Sequence, residues 1–185
     1  MTIEEVAQRF QKDYHDFEKA VHDISYDDDN KEYMFDDLSY KMYCYDDMIE
    51  SKLRAKETLK SVDGISIHDG CINFIEFKNG KFTREDLLGK VSQGMHYLQE
   101  VMLEKTYFSV EGIKTRFILV YNGRKMPRRT PSLDDLTDAV AGYANMPTDR
   151  WSLGRCFSEV WHFFDEAISL EKSQFCARVD EFVKE

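Results

Sequence analysis

The hydrophobic positions at the beginning of the chain recur every three or four residues. They are Ile3, Val6, Phe10, Tyr14, Phe17 and Val21. This spacing places the apolar side chains on one face and predicts an amphipathic helix that packs on a core. Thr2 and Glu5 supply the capping-box pattern that begins such a helix. From Asp23 to Asp37 the periodicity is lost among acidic residues, which repel one another and predict a solvated loop.

The middle of the chain predicts a β-hairpin. Residues 34–53 fit two elements, because their apolar spacing suits a helix while Tyr40–Tyr45 is aromatic enough for a strand, and we favour the helix. Two β-type runs follow at residues 59–68 and 71–78, with Asp69-Gly70 between them. This dipeptide is favoured in a two-residue type I′ turn, so the two runs are expected to pair.

A helix and a buried strand are predicted after the hairpin. Asn79-Gly80 marks a turn, and Thr83 is placed to cap a helix that ends near Glu104. The apolar stripe of this helix consists of Leu87, Leu88, Val91, Met95, Leu98 and Met102. The run Lys114–Tyr121 ends in consecutive apolar residues, which is typical of a central strand covered on both faces.

The last third of the chain predicts a loop, a helix, a strand and a final helix. Prolines at 127 and 131 exclude regular structure from the segment after the central strand. Ser132 is placed to cap a helix that ends before Pro147. A strand is predicted at about Cys156–Phe164, and a helix at about Leu170–Val183.

Length and composition indicate one domain with a substantial core. The chain has 185 residues, of which 42% are hydrophobic and 14% aromatic, and this is enough to bury a core despite 32% charged residues. We predict a single domain over residues 1–185. Its parts are an acidic N-terminal helix and loop (1–45), a central core (46–122) and a basic loop with C-terminal helices and a strand (123–185).

Neither a membrane anchor nor a secretion signal is predicted. The longest strictly apolar run, Phe117–Tyr121, is far shorter than the roughly 20 residues that span a bilayer. The four cysteines are widely spaced and form no CxxC pair. We therefore expect a cytoplasmic protein with reduced cysteines and no membrane partner.

The negative charge is confined to one part of the chain. The net charge is −10, and residues 1–50 carry 15 acidic against 5 basic side chains. The rest of the chain is balanced, so it is free to carry a local basic patch. One such patch, which we call the basic segment, consists of Arg124, Lys125, Arg128 and Arg129. Its side chains are candidates for phosphate contacts, and the alternative is a solvated cationic loop.

Two carboxylates and a lysine are expected to meet on the hairpin. A two-residue turn at Asp69-Gly70 pairs Asp63 with Glu76, and Lys78 projects from the same face as Glu76. Facing carboxylates repel each other, and a bound divalent cation would reverse that effect. An ammonium beside them is suited to orienting an attacking water. The pattern indicates metal-assisted phosphodiester hydrolysis, although a short Glu-x-Lys triplet also occurs on solvated strand faces.

These residues resemble the motif of the PD-(D/E)XK nuclease superfamily. The motif is carried by Asp63-Gly64 and by Ile75-Glu76-Phe77-Lys78, with Val62 in place of the proline. The resemblance covers about residues 45 to 122. It implies a restriction-endonuclease-like α+β fold with a mixed central β-sheet flanked by helices. It also implies that Asp63 and Glu76 are ligands of Mg²⁺ or Mn²⁺ and that Lys78 is the catalytic lysine.

The resemblance extends to four further residues, two of which are alternatives for one role. Many members add an acidic residue from a preceding helix, for which Glu50 is the candidate and Glu57 the alternative. Gln93 and Tyr97 are similar to the QxxxY signature of the RecB-like branch. On a helical wheel these two residues lie opposite the apolar stripe, so they are expected to face either substrate or water.

The resemblance implies a divalent-metal-dependent nuclease that acts on DNA. Cleavage of both strands of a duplex by so small a chain would need a homodimer or a larger complex. The alternative is a catalytically inert nuclease-fold module that acts in protein or nucleic-acid binding. The two hypotheses differ in whether Asp63 and Glu76 bind a metal.

Overall fold

A six-stranded mixed sheet forms the centre of the structure. The computed structural model describes residues 2–52, 60–98, 113–125 and 164–184. In chain order the main elements are α1 (Ile3–Asp13), β1 (Glu18–Ala20), α2 (Val21–Ile24), β2 (Tyr26–Asp27), β3 (Glu32–Tyr33), β4 (Lys41–Cys44), α3 (Tyr45–Lys52), β5 (Gly64–His68), β6 (Cys71–Lys78), α4 (Arg84–Tyr97), β7 (Lys114–Tyr121), β8 (Glu166–Glu171) and α5 (Lys172–Arg178). Short 3₁₀ turns cover His15–Phe17 and Val179–Glu181.

The order of the strands confirms the predicted fold class. The sheet runs β1-β4-β5-β6-β7-β8. Neighbours from β1 to β6 are antiparallel, whereas β6, β7 and β8 are mutually parallel. Helices flank this sheet, and β2 pairs with β3 in a separate small ribbon. The fold is therefore α+β with a mixed central sheet.

The predicted starts of α1 and α4 are confirmed, and the first helix is shorter than predicted. Thr2 and Glu5 form a capping box at α1, and Thr83 forms one with Asp86 at α4. The helix α1 ends at Asp13 because the backbone of Tyr14 leaves the helical region and turns toward β1, which pairs with β4. Phe17 lies in the 3₁₀ turn that makes this change of direction.

The expectation of a helix over residues 34–53 is correct only for the second half. Lys41–Cys44 forms β4, which pairs with β1 on one side and β5 on the other. Pairing on both sides satisfies the backbone groups of β4, and this tertiary effect outweighs the helical spacing. The helix α3 begins directly afterwards at Tyr45. The acidic segment also differs from a plain loop, since it contains the β2-β3 ribbon.

The hairpin has the predicted register. Ile65 pairs with Phe74, and Gly64 pairs with Ile75. Asp69 and Gly70 have φ values of 48° and 72°, the left-handed pair that a type I′ turn requires. Extending the register by one residue places Asp63 opposite Glu76, as predicted.

Replacing Gly70 with alanine should destabilise the hairpin. An L side chain in the left-handed region costs about 1–2 kcal/mol, so the free energy of unfolding should fall by about that amount. Gly89→Ala is the matched control. Its new Cβ would make only an ordinary contact, 3.5 Å from Lys60 Cδ, and alanine favours the helix by up to about 1 kcal/mol. Urea unfolding of both variants checks the pair, and equal effects would contradict the turn assignment.

The two faces of the sheet bury separate apolar clusters. Phe74, Phe117 and Leu119 face the cluster that includes α1, α3 and α4 residues. Ile75, Ile118 and Val120 face the other cluster, which includes Phe175 and Phe182. Burial on both faces confirms that β7 is a central strand, as its apolar run predicted. Because side chains alternate along β6, Glu76 lies on the same face as Phe74.

The segment around Phe182 is anchored beneath the hairpin. Asn73, which is fully buried, donates a hydrogen bond to the Phe182 carbonyl at 2.9 Å. The Ser66 hydroxyl donates to the same carbonyl at 2.5 Å, and Lys41 pairs with Lys184 in an isolated bridge. These contacts join the centre of the sheet to a distant part of the chain.

The C-terminal elements differ from their predicted bounds. The strand β8 runs over Glu166–Glu171, and α5 with its 3₁₀ turn replaces the single predicted helix. The strand was missed because its side chains mix polar and apolar types, while parallel pairing to β7 holds it in place. The helix predicted after Ser132 and most of the strand at 156–164 lie outside the described residues. In the described ranges no helix combines the length and apolar character needed to cross a membrane.

Candidate active site

The hairpin brings Asp63, Glu76 and Lys78 together at one end of the sheet. Glu76 is fully buried, and the Lys78 ammonium lies 2.6 Å from Glu76 Oε1. Asp63 Oδ2 accepts a hydrogen bond of 2.6 Å from the backbone N–H of Phe77. That bond fixes the Asp63 carboxylate beside the strand that carries Glu76.

A second lysine, Lys90, completes the cluster and was not predicted. Its Nζ lies 2.8 Å from Glu76 Oε1 and 3.3 Å from Asp63 Oδ1. Lys90 follows Leu87 by three residues, so it lies at the edge of the helix face that packs on the sheet. The only signal for Lys90 in the sequence was its spacing of three residues from Leu87, which places it next to the apolar stripe of α4. Finding its partners required the placement of α4 over the hairpin.

Burial and neighbouring charges shift the pKa values of Glu76 and Lys90, and the two oxygens of Glu76 differ in their partners. Burial raises the pKa of Glu76, and the nearby Asp63 charge raises it further, against the opposing effect of Lys90 and Lys78. Burial by itself lowers the pKa of Lys90, but the charges of Asp63 and Glu76 outweigh it and the pKa is raised. Glu76 Oε1 contacts both ammonium groups. Glu76 Oε2 has no hydrogen-bond partner among the described residues, which is costly for a buried carboxylate.

Asp46 is a further acid near the cluster, and the sequence analysis did not predict it. It lies at the start of α3, accepts a hydrogen bond from the Ser61 hydroxyl, and lines a cleft of about 390 Å³ together with Asp63 and Lys78. Burial, with a contribution from Asp63, raises the pKa of Asp46 to about 6. Asp46 therefore lies within electrostatic reach of Asp63 at the same cleft.

The expected helix acid, Glu50, lies one turn further along α3. Its side chain is exposed, and within the described residues no hydrogen bond or ion pair joins it to Asp63 or Glu76. Glu50 as a metal ligand stays a prediction, while Asp46 in the first turn of α3 is the helix acid that lines the cleft with Asp63. The alternative candidate, Glu57, lies outside the described residues.

The raised pKa of Asp46 predicts a pH-dependent stability. The folded protein binds this proton more tightly than the unfolded chain, so the free energy of unfolding should fall as pH rises from 3.8 to about 6. Asp46→Asn should flatten that part of the pH profile. In the wild type the hydrogen bond from Ser61 lowers the Asp46 pKa. Ser61→Ala removes this bond, so the pKa should rise and the fall in stability should extend to higher pH. Urea unfolding in the presence of a chelator measures both, and an unchanged slope in Asp46→Asn would contradict the assignment.

Gln93 and Tyr97 differ in their surroundings. Gln93 is exposed, and its Oε1 accepts a 2.8 Å hydrogen bond from the Lys60 backbone N–H. Tyr97 is buried in the cluster with Met95 and Leu98, so the expectation that it lies opposite the apolar stripe is wrong. The buried arc of α4 therefore extends from the apolar stripe to Tyr97, which lies within electrostatic reach of Tyr45 in α3. Gln93 supports the backbone that leads to Asp63.

One side chain in the described part of the basic segment, that of Lys125, already has an acidic partner. Lys125 Nζ lies 2.6 Å from Glu32 Oε2, so the acidic ribbon partly neutralises this lysine. The backbone N–H of Arg124 donates to Asn122 Oδ1 at 3.1 Å. Arg128 and Arg129 lie outside the described residues.

The donor set fits a hard cation with few protein ligands. Over residues 2–52, 60–98, 113–125 and 164–184, no three His, Cys, Asp or Glu side chains gather in a way that could hold a metal ion. Mg²⁺ commonly uses one or two protein carboxylates and takes its other ligands from water and a substrate phosphate. The orphaned Glu76 Oε2, beside Asp63, matches that requirement.

Comparison with known proteins gives no assignment of family. The chain matches no protein-family model, no curated protein and no solved structure. The functional argument therefore rests on the fold and on the cluster of carboxylates and lysines.

Proposed function

We propose that this protein is a divalent-metal-dependent nuclease that hydrolyses phosphodiester bonds of DNA. The observation that carries the proposal is the fully buried Glu76, whose Oε2 has no partner among the described residues and which lies beside Asp63 and Lys78. Lys78 and Lys90 compensate the charge at Oε1, but a buried carboxylate oxygen without a hydrogen-bond partner is rare in folded proteins. A metal-binding role gives this arrangement a purpose.

The order of elements supports the same proposal. A hairpin that carries the acidic residues is followed by α4 and then by β7, which pairs in parallel with β6. This is the order that the resemblance to the PD-(D/E)XK superfamily implies. The hairpin also joins β4 in a three-stranded antiparallel meander.

Asp63 and Glu76 would hold Mg²⁺ or Mn²⁺, with Asp46 as a further acid at the same cleft as Asp63. The bound ion would supply Lewis-acid polarisation of the phosphate and a lowered pKa for water. The chain itself supplies orientation. Strand β6 fixes Glu76 and Lys78 at alternate positions on one face, and the Lys78 ammonium can donate to an attacking water and offset charge that develops on the phosphate.

A calorimetric Mn²⁺ titration beside a cleavage time course tests the proposal. Single- and double-stranded DNA and a matched RNA should be offered to the wild-type protein, with a chelator as the blank. We expect saturable Mn²⁺ binding and chelator-sensitive cleavage of DNA. Cleavage of RNA alone would correct the substrate, and Mn²⁺ binding without any cleavage would contradict the catalytic part of the proposal.

A catalytically inert nuclease-fold module is the second candidate, and Lys90 favours it. The Lys90 ammonium contacts both carboxylates, so the cluster has charge compensation without a metal. On this alternative the protein would act through protein or nucleic-acid contacts within a larger complex. Absence of both Mn²⁺ binding and cleavage would select it.

The proposed setting is the cytoplasm, with DNA as the main partner. Cleavage of both strands of a duplex would require a homodimer or a larger complex. Sedimentation of the protein with and without a short duplex measures this. A protein that cleaves both strands of the duplex while it sediments as a monomer would contradict the proposed dimer.

The basic segment is expected to contact DNA phosphates. Replacing Arg124, Lys125, Arg128 and Arg129 with alanine should weaken DNA binding. It should also flatten the slope of log K against log salt concentration by up to about 0.9 per lost contact with a duplex phosphate. Because Lys125 already pairs with Glu32, we expect its share to be smaller than that of an unpaired residue. Fluorescence anisotropy at several salt concentrations measures the slope. An unchanged slope would return the segment to the status of a solvated loop.

A further inference from the structure

Lys90 lies where a cation between the two carboxylates would lie. Its Nζ is 3.3 Å from Asp63 Oδ1 and 2.8 Å from Glu76 Oε1. It reaches these atoms from α4, whereas both acids belong to the hairpin and its leading residue. A positive charge thus bridges the pair from a separate element.

The bridge completes the charge balance of the cluster, with two ammonium groups against two carboxylates. Glu76 already has the Lys78 ammonium at 2.6 Å, and Asp63 already accepts the Phe77 N–H. Glu76 Oε2 has no hydrogen-bond partner in the described part of the chain even with both lysines present. The cluster is therefore balanced in charge by two ammonium groups, yet one of its carboxylate oxygens makes no hydrogen bond among the described residues.

The Lys90 side chain is partly exposed to solvent. Its exposed fraction is 23%, so its ammonium is within reach of solvent. A lysine carries its charge on a flexible four-carbon stem, and a strongly hydrated ammonium regains its hydration when it swings out. A divalent ion supplies twice the charge to the same two carboxylates.

We propose that Lys90 occupies the cation position between Asp63 and Glu76 in the metal-free protein and is displaced when a divalent ion binds. This inference rests on the proposed metal-dependent function and adds a control on it. Lys90 sets a threshold, because the ion must break two charge-assisted contacts before it can bind. The site is thereby kept compensated and inactive at low metal concentration.

Calorimetric titration of Lys90→Met with Mn²⁺ tests the displacement. Without the competing ammonium, the dissociation constant should be about 10- to 100-fold lower than in the wild type. Lys81→Met is the matched control, because Lys81 is an exposed lysine that lines the cleft with Asp63, and this variant should bind Mn²⁺ with nearly wild-type affinity. Equal or weaker binding by Lys90→Met would overturn the proposal.

Thermal unfolding provides a second readout that does not depend on activity. In chelator, Lys90→Met should unfold at a lower temperature than the wild type, because two acids lose their shared partner. Added Mn²⁺ should raise the melting temperature of the variant more than that of the wild type. If Lys90→Met does not fold, Lys90→Gln, which keeps a donor without the charge, is measured in the same way.

Amine labelling of the wild-type protein tests the movement directly. Brief acetylation followed by mass spectrometry should show Lys90 several-fold more reactive with Mn²⁺ than with chelator. Unchanged labelling in protein that binds Mn²⁺ would overturn the displacement and leave the proposed nuclease standing. Absence of Mn²⁺ binding by the wild type and by both Lys90 variants would instead contradict the proposed function itself.

Discussion

Replacing Lys78 with alanine is expected to lower the rate of DNA cleavage by about 100-fold or more while the protein still binds Mn²⁺. Lys78 contacts Glu76 through its ammonium but supplies no ligand atom for a cation. Its loss removes a donor that is needed as charge develops in the transition state. It also removes a positive charge beside the metal ligands, so Mn²⁺ affinity should be equal or higher.

Lys81→Ala is the control for Lys78→Ala. Lys81 is also a lysine at the cleft, but it is exposed and lies three residues beyond Lys78. Single-turnover cleavage and calorimetry should be run on both variants. If Lys78→Ala cuts as fast as the wild type, the role given to Lys78 is wrong even where the rest of the site holds.

Replacing Glu76 with glutamine is expected to abolish metal binding and cleavage together. The substitution keeps the shape of the side chain and removes the anionic ligand. Loss of a residue that merely supports a ligand costs about 10–100-fold in metal affinity, and the loss of the ligand itself should cost at least as much. Calorimetry with Mn²⁺ measures the affinity, and the cleavage assay is run on the same preparation.

Glu85→Gln provides the matched change on an exposed side chain near the start of α4. It should leave both Mn²⁺ affinity and cleavage at wild-type values. Circular dichroism of the two variants establishes that the comparison is between folded proteins. Retained Mn²⁺ affinity in Glu76→Gln would remove Glu76 from the metal site.

Local features of the sequence predicted the hairpin and its register. The dipeptide Asp69-Gly70 is the local signal for a type I′ turn, which sets the register. Side chains alternate between the two faces of a strand, so Glu76 lies on the same face as Ile72 and Phe74. The start of α4 was also predictable from local sequence, because Thr83 and Asp86 form a capping box. These elements need no information from distant parts of the chain.

The missed features depend on tertiary contacts. The strand β4 exists because β1 and β5 pair with it on both sides, and β8 exists because β7 offers a parallel edge. Lys90 and Asp46 join the site only when α4 and the start of α3 are placed beside the hairpin. Sequence spacing reports which face of an element a residue occupies, but it does not report what lies opposite that face.

The anchoring of Phe182 by Asn73 has a consequence for how the protein is made. During synthesis the hairpin leaves the ribosome about a hundred residues before its anchoring segment, at an elongation rate of about 5–20 residues per second. For several seconds the buried amide of Asn73 and the apolar face around Ile75 therefore lack the segment that covers them. A nascent chain in this state presents a polar group and an uncovered sheet face, which is the kind of surface that chaperones bind.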